Sequence, residues 1–277
     1  MSDDDAQPAR FAPDHDWDDV GQWLADCRTS VGFLTRLPLE PETALPPPAL
    51  AGAVRAFPVA GLLVGAIVGA VLVLAVWLGA PAAVAALLGV AAGLGLTGAL
   101  HEDGLADIAD GFGGGASRER KLEIMRDSRI GTYGVLALIV MVALKTMAFA
   151  ILAAQSVWLA FGVILAAAAM SRVAPAGILY LLAPARRDGL SVEAGRPGRA
   201  TMLQALALAT VISVVLLWPV SFLFGLIVVP LAGLAGLAGI AWLARRQIGG
   251  QTGDVAGASQ VVSEAAILIA AVMALTP

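Results

Sequence analysis

Charge is what this chain has least of. Only 14% of its 277 residues are Asp, Glu, Lys or Arg and 6% are aromatic, whereas 59% are hydrophobic. A soluble domain carries about 25% charged and about 45–50% apolar residues. A water-soluble enzyme is therefore excluded, and the mean hydropathy of +0.85 points to a protein solvated by lipid. The single cysteine, Cys27, excludes an internal disulfide or a cysteine-built metal cluster and reads as an ordinary small apolar residue. There is no basic patch interleaved with aromatics, so nucleic acid is not an expected partner. The start lacks the basic and apolar regions of a cleaved signal peptide, so the first span is expected to act as the signal anchor.

Long apolar runs are what the chain does have. A transmembrane helix needs about 20 mostly apolar residues. Runs at 57–78, 82–100, 135–154, 157–183, 201–217, 221–243 and 259–275 meet or approach that length, separated by Pro81, polar stretches, Gln155-Ser156 and Pro219. The expected fold is an all-α polytopic transmembrane bundle of about seven spans. Fifteen of the 17 Lys and Arg fall on one side, in the N-terminal region and the loops 101–134, 184–200 and 244–258. The other two, Lys145 and Arg172, lie inside spans, and the opposite side has none. The positive-inside rule makes the charged side cytoplasmic, with the N-terminus in and the C-terminus out. Residues 1–20, with seven Asp in the first 19, read as an acidic disordered tail, and 21–277 as one integral membrane catalytic domain. Trp17 to Leu39 reads as an interfacial amphipathic helix ended by Pro38 and Pro46-Pro47-Pro48. Gly61, Gly65 and Gly69, four apart, suggest close helix packing.

The chemistry concentrates in HEDGLADIAD (101–110), read as continuing the second span past the membrane. Asp103, Asp107 and Asp110 follow an i, i+4, i+7 spacing that puts them on one helical face. Carboxylates so stacked repel unless a cation joins them, and oxygen-only ligands suit Mg²⁺, with Mn²⁺ as an alternative. Gly111 to Gly115 reads as a flexible turn whose N–H groups could approach a phosphate. Ser117 reads as the N-cap of a helix over 118–129 carrying Arg120, Glu123 and Asp127, with Arg126 and Arg129 nearby. These charges form either surface pairs or part of a metal and pyrophosphate site. GGQTGD (249–254), entering the last span, offers Gln251 and Thr252 as phosphate or nucleotide contacts and Asp254 as a further carboxylate. His101 stands beside the acidic face as acid/base or ligand; His15 reads as inert. Lys145, Arg172 and Glu264, inside spans, are either an ion pair or functional.

These segments, with GFLTRLPL (32–39), FPVAGLLVGA (57–66) and KLEIMRDSRIGTYG (121–134), resemble the cobalamin synthase family over nearly the whole chain from about 31 to 275. His101, Asp103, Gly104, Leu105 and Asp107 match its His-x-Asp-Gly-Leu-x-Asp core. The resemblance implies that a hydroxyl of α-ribazole, or of its 5′-phosphate, attacks the cobinamide-side phosphate of adenosylcobinamide-GDP. GMP then leaves, in a reaction requiring a divalent cation, normally Mg²⁺. It further implies Asp103, Asp107 and Asp110 as metal ligands, with Glu123, Asp127 and Asp254 as further ligands or supports. His101 or a carboxylate would take the hydroxyl proton, and Arg126, Arg129 and Arg36 would hold phosphates. The bacterial cytoplasmic (inner) membrane is the expected location, with the site facing the cytoplasm and the bilayer as a partner. Self-association into a homo-oligomer is left open.

Two rival readings stand beside this one. Asp107-x-x-Asp110-Gly111 and Glu123-x-x-x-Asp127 partly match CDP-alcohol phosphotransferases, but Gly114-Gly115 replace the Ala-Arg pair and Glu123 stands where Asp is usual. A transporter using Lys145, Arg172 and Glu264 would usually be built of two repeated halves, and no repeat is evident.

Overall fold

The computed structural model describes residues 19–39 and 49–275. The tail, the helix start expected at Trp17 and the Pro46–Pro48 run lie outside the described residues. In chain order the helices are α1 (Val20–Leu34), α2 (Ala49–Ala53), α3 (Phe57–Trp77), α4 (Ala82–Thr97), α5 (Leu100–Gly114), α6 (Arg118–Ile124), α7 (Thr132–Gln155), α8 (Val157–Ser171), α9 (Val173–Leu181), α10 (Leu190–Ala194), α11 (Arg199–Leu217), α12 (Val229–Ile248) and α13 (Gly253–Leu275). A 3₁₀ turn, Val54–Ala56, joins α2 to α3, and a π-helical turn, Phe224–Val228, leads into α12. No strand occurs among the described residues; a bridge between Pro184 and Gln251 is isolated. The protein is an all-α polytopic helical bundle.

Six stretches are long and apolar enough to cross a bilayer: Leu50–Trp77, Thr132–Gln155, Val157–Leu181, Arg199–Leu217, Phe224–Ile248 and Gly253–Leu275. The pair α4 and α5, bent by 91° at its break, passes the same test only when taken together, as a broken span or a re-entrant loop, which makes six or seven spans in all. Lipid cannot drive helices together as water does, so close backbone packing has to hold the bundle. The glycine stripe of α3 supplies it. Gly61 and Gly65 press directly on the backbone of α8 at Ala168 and Leu165, and a Cβ on Gly69 would lie 2.7 Å from the Phe161 ring. At the end of the bundle without Lys or Arg, Trp77 packs edge-on against Trp158 with centroids 5.9 Å apart. Trp158 and Trp218 are exposed there, as in an aromatic belt. On the charged side α1 is N-capped by Asp19, whose carboxylate accepts from the Gln22 N–H at 2.9 Å. It is anchored by the buried pair of Asp26 and Arg55, 2.6 Å apart.

Three local expectations are overturned. The 101–110 segment does not continue the second span. Gly98 and Ala99 both adopt left-handed backbone (φ 64° and 55°), ending α4 and starting α5 in a new direction. The Arg36 side chain occupies the space a Cβ on Gly98 would need, and the Arg36 N–H donates to the Leu96 carbonyl at 2.8 Å. Glu102 and Asp103 therefore sit in the first turn of a helix, where the macrodipole favours acids, not at a helix C-terminus. Gly111 to Gly114 are helical, not a flexible turn. A Cβ on Gly111 would lie 2.6 Å from Met125 and one on Gly113 2.8 Å from the Tyr133 ring, so these glycines admit neighbours. The helix capped by Ser117 stops at Ile124, which leaves Arg126, Asp127 and Arg129 on a turn.

Candidate active site

The bend at Gly98 sets the site. From it α5 runs antiparallel to both α13 and α7, as its contacts show. A Cβ on Gly104 would lie 2.7 Å from the Asp254 carbonyl, and one on Gly257 3.3 Å from the His101 Cα. At one end of α5, Glu102 meets Lys145, midway along α7; at the other, Asp110 meets the first turn of α7. Glycine at 104 thus lets α5 lie directly on the start of α13, bringing Asp103 and Asp107 to Asp254.

Asp254 is fixed by its own segment. The Thr252 hydroxyl accepts from the Val255 N–H at 3.3 Å, capping α13, and donates to Asp254 Oδ2 at 3.1 Å. Gln251 anchors the segment from behind: its carbonyl accepts from Ala185 at 2.8 Å, and its N–H donates to Ala183 at 2.9 Å. The charge of Asp107 is opposed by Asp254, Asp103 and Asp110, and Arg186 is the cation that offsets it. Arg186 Nη2 lies 3.8 Å from Asp254 Oδ2.

Above these groups is a cleft of about 220 Å³. Its polar end is His101, Asp103, Asp254, Arg186 and Ser191; its walls are apolar, with Phe33 and Leu34 from α1, Phe57 from α3 and Leu179 from α9. The volume is below the roughly 300–1,000 Å³ of pockets that enclose a whole drug-sized ligand, so it suits one part of a larger substrate.

Asp110 takes another role in the fold. Its Oδ2 accepts from the Gly131 N–H at 2.7 Å and its Oδ1 from the Gly134 N–H at 2.9 Å, tying α5 to the start of α7. Glu123 pairs with Arg120 at 2.8 Å. Asp127 is bonded by Arg129 at 2.6 Å, and those hydrogen bonds hold its carboxyl down at about 2. Arg126 pairs with Asp188 at 2.5 Å. Glu123, Asp127 and Arg129 line an open recess of about 360 Å³ that borders Asp110 and does not include Asp103 or Asp254. Arg36 packs on the bend at Gly98.

Among the described residues no three acids or histidines stand close enough to hold a metal ion as drawn. The donor chemistry nevertheless fits a hard cation. The charges of Asp103 on α5 and Asp254 on α13 both act on Asp107, with Arg186 as the offsetting cation. Oxygen-only donors of this kind suit Mg²⁺ or Mn²⁺.

Beneath the cleft is a network that sequence reasoning left open. Lys145 Nζ lies 3.1 Å from Glu102 Oε1 and 2.8 Å from Glu264 Oε2. Gln260 donates to Glu264 at 3.0 Å, and Arg172 lines the same small cavity as Glu102, Lys145 and Glu264. The intramembrane charges thus neutralise one another, as burial requires. Sequence reasoning misses Glu102, Arg186 and Ser191. Glu102 adjoins Asp103 in a stretch read only for its aspartates, and Arg186 looks in sequence like its exposed neighbour Arg187.

Comparison with known proteins agrees with this geometry. Residues 26–272 match the family model described as cobalamin-5-phosphate synthase. The chain is 47% identical over 248 residues to a protein of Bradyrhizobium diazoefficiens named adenosylcobinamide-GDP ribazoletransferase, covering 90% of this chain and 93% of that one. Proteins with the same name from Rhizobium johnstonii and Azorhizobium caulinodans are each 43% identical, covering 92% and 89% of this chain and 99% and 94% of theirs. No solved structure matches the chain. An acid-lined cleft in a helical membrane bundle, matched from α1 to α13 by one family, makes this chain a member of the cobalamin-5-phosphate synthase family, a transferase of cobalamin biosynthesis.

Proposed function

We propose that the chain transfers the adenosylcobinamide phosphate group from adenosylcobinamide-GDP to α-ribazole or its 5′-phosphate. A ribazole hydroxyl oxygen forms the new bond to the cobinamide-side phosphorus, the bond from that phosphorus to the GMP oxygen breaks, and GMP leaves. The observation that carries this reading is the placing of Asp103 and Asp254 on one cleft with apolar walls, their charges acting on Asp107. Displacement at a pyrophosphate by an alcohol needs positioning and charge neutralisation more than covalent catalysis. Asp103, Asp107 and Asp254 would hold Mg²⁺, or Mn²⁺ in its place, and the bound cation supplies neutralisation of phosphate charge. Asp110 would act behind them by fixing α5. His101 and Asp103 both line the cleft, and one of them would take the hydroxyl proton. Arg129, Glu123 and Asp127, which line the separate recess, are assigned with Arg126 to the GDP end of the donor, and Gln251 and Thr252 to holding Asp254 in place. We place residues 21–277 as one catalytic domain in the bacterial inner membrane, with the cleft on the cytoplasmic side where Lys and Arg collect.

The test is GMP release by the purified, detergent-solubilised chain. Release should require both adenosylcobinamide-GDP and α-ribazole and a divalent cation. Asp103→Asn should lower it more than about 100-fold, beyond the usual effect of losing a group behind a ligand. Folded protein that releases no GMP with any divalent cation would overturn the proposal.

A further inference from the structure

We infer that Arg186, with Ser191, forms an oxyanion subsite that grips a substrate phosphate at the polar end of the cleft. This deepens the transfer reaction proposed above and rests on it. Arg186 Nε and Nη1 are buried and find no acceptor among the described residues, and the Ser191 hydroxyl is likewise buried and without a partner. Both residues line the cleft with Asp103 and Asp254. A buried donor without an acceptor is costly, and a guanidinium presents a planar fork that matches two phosphate oxygens. The 3.8 Å from Arg186 Nη2 to Asp254 is too long for a hydrogen bond, so the fork is held near the acid without being closed by it.

The backbone around Arg186 is pinned on both faces. Ala185 donates to Gln251, and Arg118 bonds the Ala185 carbonyl at 2.5 Å and the Ile248 carbonyl at 2.8 Å. The guanidinium is therefore aimed by a fixed loop. The arginines nominated from sequence differ: Arg126 and Arg129 are already closed on Asp188 and Asp127. The apolar walls at Phe57 and Leu179 fit the organic part of a phosphate ester. Two substrates offer such a phosphate, the pyrophosphate of the donor and the 5′-phosphate of a phosphorylated acceptor.

Steady-state kinetics on wild type, Arg186→Gln and Arg186→Lys, each with free ribazole and with ribazole 5′-phosphate, distinguish them. Loss of a charge-assisted pair of bonds should raise the relevant KM by about 10- to 100-fold in Arg186→Gln. Arg186→Lys should recover part of that loss, and Arg187→Gln, altered at an exposed neighbour, should behave as wild type. A rise in donor KM with either acceptor assigns the donor pyrophosphate; a rise confined to ribazole 5′-phosphate assigns the acceptor. Unchanged KM for both, or a fall in kcat alone, overturns the subsite. Calorimetric titration with inorganic phosphate and pyrophosphate adds a readout independent of turnover. Wild type should bind one of them at least about 10-fold more tightly than Arg186→Gln, and equal or absent binding overturns the inference. Wild type that binds these anions yet releases no GMP would overturn the transfer reaction and leave the subsite standing.

Discussion

Asp110 illustrates how one residue type in one stripe divides into different duties. Its two oxygens accept from Gly131 and Gly134, and a Cβ on Gly134 would run into its carboxylate. Asp110→Ala leaves the buried Gly134 N–H and the half-buried Gly131 N–H without an acceptor, which costs about 1–3 kcal/mol. A lowered thermal midpoint in detergent is the expected result; an unchanged midpoint would return Asp110 to the set of direct ligands. The stripe itself was legible, because the i, i+4, i+7 spacing shows in any sequence. The division was not, since it depends on glycines more than twenty residues away that fold back onto α5. Arg186 was hidden for a similar reason. Arg186 and Arg187 are adjacent and identical, and only the pinning of Ala185 by Gln251 and Arg118 turns one of them inward.

At the scale of elements, the broken span is the decisive feature. The apolar runs announced the other helices because charge is almost absent across each of them. The break at Gly98 and Ala99 left no such mark in a chain with 31 glycines, many of them in helix contacts. By turning through 91°, α5 passes alongside α7 and α13, and Lys145 holds it there through Glu102 and Glu264. Removing the lysine charge leaves two buried carboxylates facing Arg172 alone, one negative charge in excess. Lys145→Met should therefore lower stability by about 3–5 kcal/mol. Adding Glu102→Gln to that variant, which leaves Glu264 opposite Arg172, should recover much of the loss in thermal unfolding. If the single variant is as stable as wild type, the network does not hold α5.

For the molecule as a whole, charge sorting and the bundle agree. The basic loops, the acid-lined cleft and the recess at Glu123 share one end, and the exposed Trp77, Trp158 and Trp218 lie at the other, with Trp242 exposed beside Arg246 on the charged side. The cleft gathers α1, α2, α3, α5, α9, α10 and α13, so it exists only when both halves of the chain are assembled. That assembly sets the charges of Asp103 and Asp254 against Asp107, and of the six acids nominated by sequence these three are the ones proposed to hold the cation. The most direct test is Mn²⁺ binding to the purified chain, followed by electron paramagnetic resonance. One ion per chain should bind, its affinity falling by more than about 10-fold in Asp103→Asn and in Asp254→Asn and holding in Glu123→Gln and Asp127→Asn. Binding that survives in Asp254→Asn and disappears in Glu123→Gln would move the cation to the outer recess and contradict the site built here.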